Sequence, residues 1–335
     1  MKQINSPKSQ TGFTLIELMV SIVLGLIITA SAVQLLLTGQ ISFSTQKALA
    51  EIQESGNFGL RYITNDIRRT NYENFGVIND RLANGGIALT ARSQPAFVAV
   101  STFTTANIPT NYPNNLTIAN AQLSSEKSQV SNVTDISLAE VKSDQLVIQY
   151  YADQAGTDCE GNGYAAGRYI VQRYFLRVDT NVSAKEANAA LALACEAGSY
   201  IDTSIEIKKN PETSTVDFGT TQGEVIIRRV DYLRFLLGVS NNSGDNQFRY
   251  MSISDYLNVS QYPRPRILSI QIGTLIRSNE AANVTDFVKN DRVYTVLDQK
   301  VIVKNHLHSN KYIRRVVSQT IALRNGMFSE DKAVM

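Results

Sequence analysis

The sequence predicts an α+β protein: a long N-terminal helix, its first half transmembrane, packed against a mainly antiparallel β-sheet domain. Three observations predict it. Residues 18–46 carry no charge at all. Apolar residues then recur at steps of three and four as far as Ile67. Beyond them, short apolar segments alternate with loops rich in Asn, Ser and Thr.

With 335 residues the chain can bury a sizeable core. Its net charge of +2 comes from 32 basic against 30 acidic residues, and Lys2 and Lys8, both ahead of Phe13, account for the excess. The rest is balanced, which leaves no general electrostatic pull toward nucleic acid or anionic lipid. Residues 13–37 exceed the roughly 20 apolar residues that a bilayer core of about 30 Å requires, although Ser21, Thr29, Ser31 and Gln34 interrupt them. Lysines before the span and a long domain after it favour an N-in, C-out orientation. The run is too long for the apolar region of a secretory signal peptide, and no convincing small-residue cleavage site follows it. Glu17 is the anomaly. An acid at the bilayer centre costs about 2.5–3.5 kcal/mol on insertion scales, so its presence marks a functional position. Its place near the helix start softens the cost, because the positive end of the helix dipole favours an anion there.

After the span, Leu49, Ile52, Gly56, Leu60, Ile63 and Ile67 form one stripe, with Lys47, Glu51, Glu54, Arg61 and Asp66 elsewhere. The pattern predicts one helix over residues 13–69, about 80 Å long at 1.5 Å per residue. Gly56 and Gly59 each weaken it by about 1 kcal/mol relative to Ala and allow a bend or close packing. Residues 70–76 end it, and residues 70–335 form the globular domain. Candidate strands are 145–151, 169–178, 224–227, 231–237, 267–276 and 315–323. In 267–276, Leu268, Ile270, Ile272 and Ile276 fall on one face, and Ser269, Gln271 and Gly273 on the other. The Ala-rich residues 184–194 read as a short helix. There is no internal repeat and no interdomain linker.

Gly12-Phe13-Thr14-Leu15-Ile16-Glu17, behind a short polar leader with two lysines and ahead of a long apolar helix, resembles the class III signal of type IV pilins and type II secretion pseudopilins. The resemblance implies a leader of residues 1–12 that prepilin peptidase removes between Gly12 and Phe13, N-methylation of Phe13, and pairing of Glu17 with the Phe13 ammonium of a neighbouring subunit during assembly. Two details depart from a typical major pilin: Gln34 stands where many have a helix-kinking Pro, and Gln10 and Thr11 before Gly12 are not basic. Residues 143–150, 230–238, 266–278 and 314–325 are similar to PilW-type minor pilins, whose architecture is similar to that of the J-type pseudopilin. This likeness implies a structural subunit of the inner membrane with a periplasmic domain, extracellular once in a pilus. The expected role is initiation at or near the pilus tip, in support of piliation, twitching motility, adhesion or DNA uptake. Its expected partners are other minor pilins, the major pilin, prepilin peptidase, the inner-membrane assembly platform and a tip adhesin, with no cofactor and no small-molecule substrate. A J-type pseudopilin is the alternative within the class, and a membrane-anchored periplasmic enzyme the alternative outside it.

Cys159 and Cys195 lie beyond the span and so in the oxidising periplasm under this topology, where a disulfide is expected. A metal or redox pair lacks a CxxC motif and a nearby His. Other candidate chemistry has bland readings. His306 and His308, at strand spacing, read as an exposed polar pair with Lys304 and Lys311 near. Asp158, Glu160 and Asn162, like Asn241, Asn242, Asp245 and Asn246, read as turn chemistry rather than a calcium loop. Gly161-Asn162-Gly163-Tyr164 with Gly167 lacks the Lys-Ser/Thr of a phosphate loop. No G-x-S-x-G or H-E-x-x-H occurs. Tyr72, Tyr150, Tyr151, Tyr164 and Tyr174 read as core or sheet residues rather than a platform for DNA.

Overall fold

The computed structural model describes residues 12–70, 72, 84–91, 110–182, 186, 189–240, 248–259, 264–281, 289, 291–307 and 311–323. One helix, α1 (Leu15–Arg69), opens the chain. The strands are β1 (Ser125–Gln129), β2 (Val133–Asp135), β3 (Ser143–Ala152), β4 (Gly156–Thr157), β5 (Gly163–Tyr164), β6 (Arg168–Val178), β7 (Leu191–Tyr200), β8 (Lys208–Lys209), β9 (Glu224–Arg228), β10 (Val230–Ser240) and β11 (Phe248–Met251). A short helix α2 (Ile253–Leu257) precedes β12 (Ile267–Arg277), β13 (Tyr294–Val296), β14 (Gln299–Val303) and β15 (Arg314–Ala322). All strand pairings are antiparallel. The order β1-β3-β6-β7-β8, with β9 also on β7, makes one sheet, β11-β10-β12-β15 a second, and β13-β14-β2 a smaller third; β4 and β5 form a hairpin. All six expected strands are present.

The chain divides into two compact units, residues 1–47 and 48–335. In the first, α1 is exposed from Leu15 to Ser44. In the second, its last turns bury Ile52, Gly56, Leu60, Ile63 and Ile67 among residues of both large sheets, including Leu146, Tyr174, Leu193, Phe235 and Ile272. The expected stripe starts one residue early: Ala48 is buried and Leu49 is exposed. Close packing accounts for the glycines. A Cβ on Gly56 would meet Ile276 Cδ1 at 3.1 Å, and one on Gly59 would meet Ile227 Cδ1 at 2.5 Å. Asp66 is not on an outer face as expected. It is buried, and the Tyr174 hydroxyl donates to its Oδ2 at 2.7 Å.

The Ala-rich helix is overturned from residue 191 on. β7 starts there as a wholly buried central strand, in register with β6 from Val178↔Leu191 to Tyr169↔Tyr200. Alanine's helix preference is a weak prior, and pairing on both sides overrides it. Residues 184, 185, 187 and 188 lie outside the described residues. In β12 the two-faced alternation holds for Ile270, Ile272 and Ile276. It breaks at the strand start, where a register shift puts Ile267 opposite Val239 and leaves Leu268 half-buried. The opposite face is covered as well: a Cβ on Gly273 would meet Leu297 Cγ at 2.7 Å.

Buried ion pairs join the sheets. Arg234 on β10 reaches Asp298 twice, at 2.9 and 2.7 Å, Glu126 on β1 at 2.8 Å and Asp144 on β3 at 3.3 Å. It therefore fastens both large sheets and the β13–β14 turn together. Burial pushes the Glu126 carboxyl up, but hydrogen bonds from Arg234, Ser252 and Ser254 outweigh it and hold it at about 2. A second group joins Arg229 to Asp179 (2.7 Å) and Glu186 (2.8 Å), Arg277 to Glu186, and Arg314 to Asp231 (2.7 Å).

Candidate functional site

The N-terminal motif begins with a helix cap. The Glu17 N–H donates to Thr14 Oγ1 at 3.3 Å and to the Thr14 carbonyl at 3.1 Å, and the Leu18 N–H reaches the same carbonyl at 3.2 Å. Thr14 is therefore the N-cap, with Glu17 three residues on, at the spacing of a capping box. This role for Thr14 was legible in the T-x-x-E spacing, although charge in an apolar run was what drew attention to Glu17. The carboxylate lies in the first turn, where free N–H groups and the helix dipole favour an anion. It has no partner among the described residues, and Gly12 and Phe13 just before it are exposed.

The hydroxyl-bearing residues of the span are satisfied by the helix itself. Ser21 Oγ donates to the Glu17 carbonyl at 2.8 Å, Thr29 Oγ1 to Gly25 at 3.0 Å, Ser31 Oγ to Ile27 at 2.8 Å and Thr38 Oγ1 to Gln34 at 2.9 Å. A hydroxyl that returns its proton to the preceding turn needs no water, so these residues cost little in lipid. The helix is long and apolar enough to cross a membrane. Glu17 is left as the one charge in residues 15–46.

Cys159 and Cys195 form a disulfide, with Cα atoms 6.1 Å apart, between the β4–β5 loop and the middle of β7. Around it the oxygen-rich residues make a turn. Asp158 Oδ1 accepts from the N–H groups of Glu160 and Asn162, both at 2.9 Å, and its Oδ2 accepts from Asn210 Nδ2 at 2.8 Å. Glu160 takes Lys209 Nζ at 2.7 Å and the Ala197 N–H at 2.9 Å. No cluster of metal-binding side chains occurs among the described residues. His306 lies on a 3-10 turn (Asn305–Leu307) instead of the strand its spacing suggested, and His308 and residues 241–246 lie outside the described residues. Tyr150 and Tyr174 are buried as expected, but Tyr72, Tyr151 and Tyr164 are half-buried and line a cavity.

Residues 7–33 match the family described as the prokaryotic N-terminal methylation motif, and residues 200–325 match the one described as Type IV Pilus-assembly protein W. Together these two matches, over less than half of the chain, support a type IV minor pilin of the PilW type. A search of curated proteins finds no match. Among solved structures, a type IV-like pilin from Thermus thermophilus is similar at 9% identity over 55% of this chain and 80% of that one, with a TM-score of 0.26, too loose a likeness to carry an argument.

Proposed function

We propose that this chain helps to initiate assembly of a type IV pilus and lies at or near the pilus tip, in support of piliation, twitching motility, adhesion or DNA uptake. Residues 13–37 hold the precursor in the inner membrane with its globular unit in the periplasm. Prepilin peptidase cuts between Gly12 and Phe13 and methylates the new terminus. Glu17 then pairs with the Phe13 ammonium of a neighbour. Either charge alone is expensive in an apolar fibre core, and pairing recovers much of what each loses. The partners are the other minor pilins, the major pilin, the assembly platform and a tip adhesin.

The observation that carries this reading is Glu17, the one charge in the exposed apolar first part of α1, without a partner among the described residues. Mass spectrometry of the protein from cells is expected to show an N-methylated Phe13 terminus; an intact Met1 overturns the reading. Deleting the gene should abolish or reduce surface pili and leave protein secretion intact. Loss of secretion with normal piliation assigns the chain to a type II secretion system instead.

A further inference from the structure

We infer a carbohydrate-binding site on the globular unit, built around Tyr151 and separate from the assembly helix of residues 15–47. Two cavities, of about 500 and 560 Å³, share Tyr151 as their common wall. On one side stand Tyr72, Tyr164 and Arg69, with Asp153 at the rim. On the other stand Tyr169 and the exposed Asp202 and Thr203. The Tyr151 and Tyr169 rings meet edge to face with centroids 5.2 Å apart, and Tyr169 stacks on the buried Tyr200 at 5.1 Å, so the wall is held from behind.

Half-buried tyrosine rings offer an apolar face to a flat ligand, and carboxylates and hydroxyls around them exchange hydrogen bonds with a polyol. That combination suits a pyranose, which has an apolar ring face and a polar edge. Two lobes on either side of one ring suit at least two linked sugars. Two carboxylates against one guanidinium favour a neutral or basic sugar over an acidic one. On the floor, the buried Tyr150 hydroxyl interacts with Tyr164 and Arg69, which ties the aromatic wall of the first cavity to its one cation.

The disulfide belongs to this site. Gly156 and Thr157 on β4 and Tyr164 on β5 line the first cavity, and Cys159 in the loop between those strands is tied to β7. The bridge thus holds one wall of the cavity against the sheet.

The test is a printed glycan array probed with the full chain in detergent, followed by calorimetric titration with neutral β-linked trisaccharides, cellotriose and chitotriose. Saturable signal on neutral or basic glycans is expected. It should fall more than tenfold in Tyr151→Ala and survive in Tyr151→Phe, and reduction of the bridge with dithiothreitol should weaken it. Circular dichroism and thermal melting show whether each variant is folded; Asp202→Asn, at an exposed position, supplies a second variant expected to weaken binding without affecting the fold. An array without signal from the folded protein overturns the proposal. So does binding that Tyr151→Ala and Asp202→Asn leave unchanged, a preference for sialylated glycans, or signal from peptides alone. None of these outcomes depends on Glu17 or on leader cleavage.

Discussion

The first and last parts of α1 answer to different solvents. Residues 15–44 are exposed along their whole length, carry one charge, and return their hydroxyl protons to the helix backbone. Residues 48–69 carry their charges on outer faces except for the buried Asp66, bury a stripe that includes two glycines, and lock into both large sheets. One helix thus serves two masters. Its beginning is long and apolar enough to cross a membrane, and its end is an ordinary core element of the globular unit. Changes in the first part should therefore alter assembly and leave stability alone, and changes in the second should do the reverse.

The largest effect is expected at Glu17. Glu17→Ala should still be processed, but its recovery in sheared pili should fall more than ~tenfold, since a loss of only about 1.4 kcal/mol of pairing suffices for that factor. Its thermal melting should match the wild type. Normal recovery in pili would break the comparison at its strongest point. Next comes Arg234→Ala, outside the helix but central to the unit that the helix joins. It strands Glu126, Asp144 and Asp298, and removing one partner of a buried pair costs about 3–5 kcal/mol. Urea unfolding of the detergent-solubilised chain measures it, and a change under about 1 kcal/mol would show that water reaches those carboxylates. Because Glu126 is held below its ordinary range, its contribution is complete above pH 4.5 and fades as pH falls toward 2. Acid unfolding should therefore shift to higher pH in Glu126→Gln. Replacing both cysteines by serine opens a closed loop of 36 residues, which the chain-entropy model values at about 3–4 kcal/mol. A melting point unchanged in that double variant would reassign the bridge from stability to the cavity wall alone.

How much of this was legible in the sequence depends on the kind of interaction involved. The span, the helix and six strands were readable because burial leaves periodic apolar patterns. Glu17 draws attention in the sequence because no other charge occurs from residue 15 to residue 46. β7 was not readable, because a strand buried on both faces loses its alternation and its alanines look helical. Asp66 was misplaced because helical spacing shows which face a residue occupies, not that Tyr174 waits 108 positions away to receive it. The arginine networks left only a trace: Asp231 and Arg234 interrupt an apolar run in β10, and their partners lie far along the chain, Arg314 on β15 and Asp298 in the β13–β14 turn.

Gly59→Val tests the second part of the helix at its tightest contact. The added side chain must displace Ile227 on β9, and overpacking of this kind costs about 1–3 kcal/mol. A glycine replaced in the first part offers the matching control, since a Cβ on Gly25 meets nothing within 4 Å. Gly25→Val should leave the melting point where it was, and a loss equal to that of Gly59→Val would mean that helix propensity, not packing, sets the cost.

The smallest effect, and the most specific, is expected at Asp66. Burial raises its carboxyl above the ordinary range, and the hydrogen bond from Tyr174 only partly offsets this. A carboxyl with a raised folded pKa is penalised when ionised, so the cost is absent below pH 3.8 and grows as pH rises through the folded value. Asn keeps an oxygen to accept the Tyr174 proton and carries no charge. Asp66→Asn should therefore melt slightly higher than the wild type at pH 7 and equally at pH 3, with pilus incorporation unchanged. If the variant is instead less stable at neutral pH, the ionised carboxylate is being used, and the end of the helix is held by charge as well as by packing.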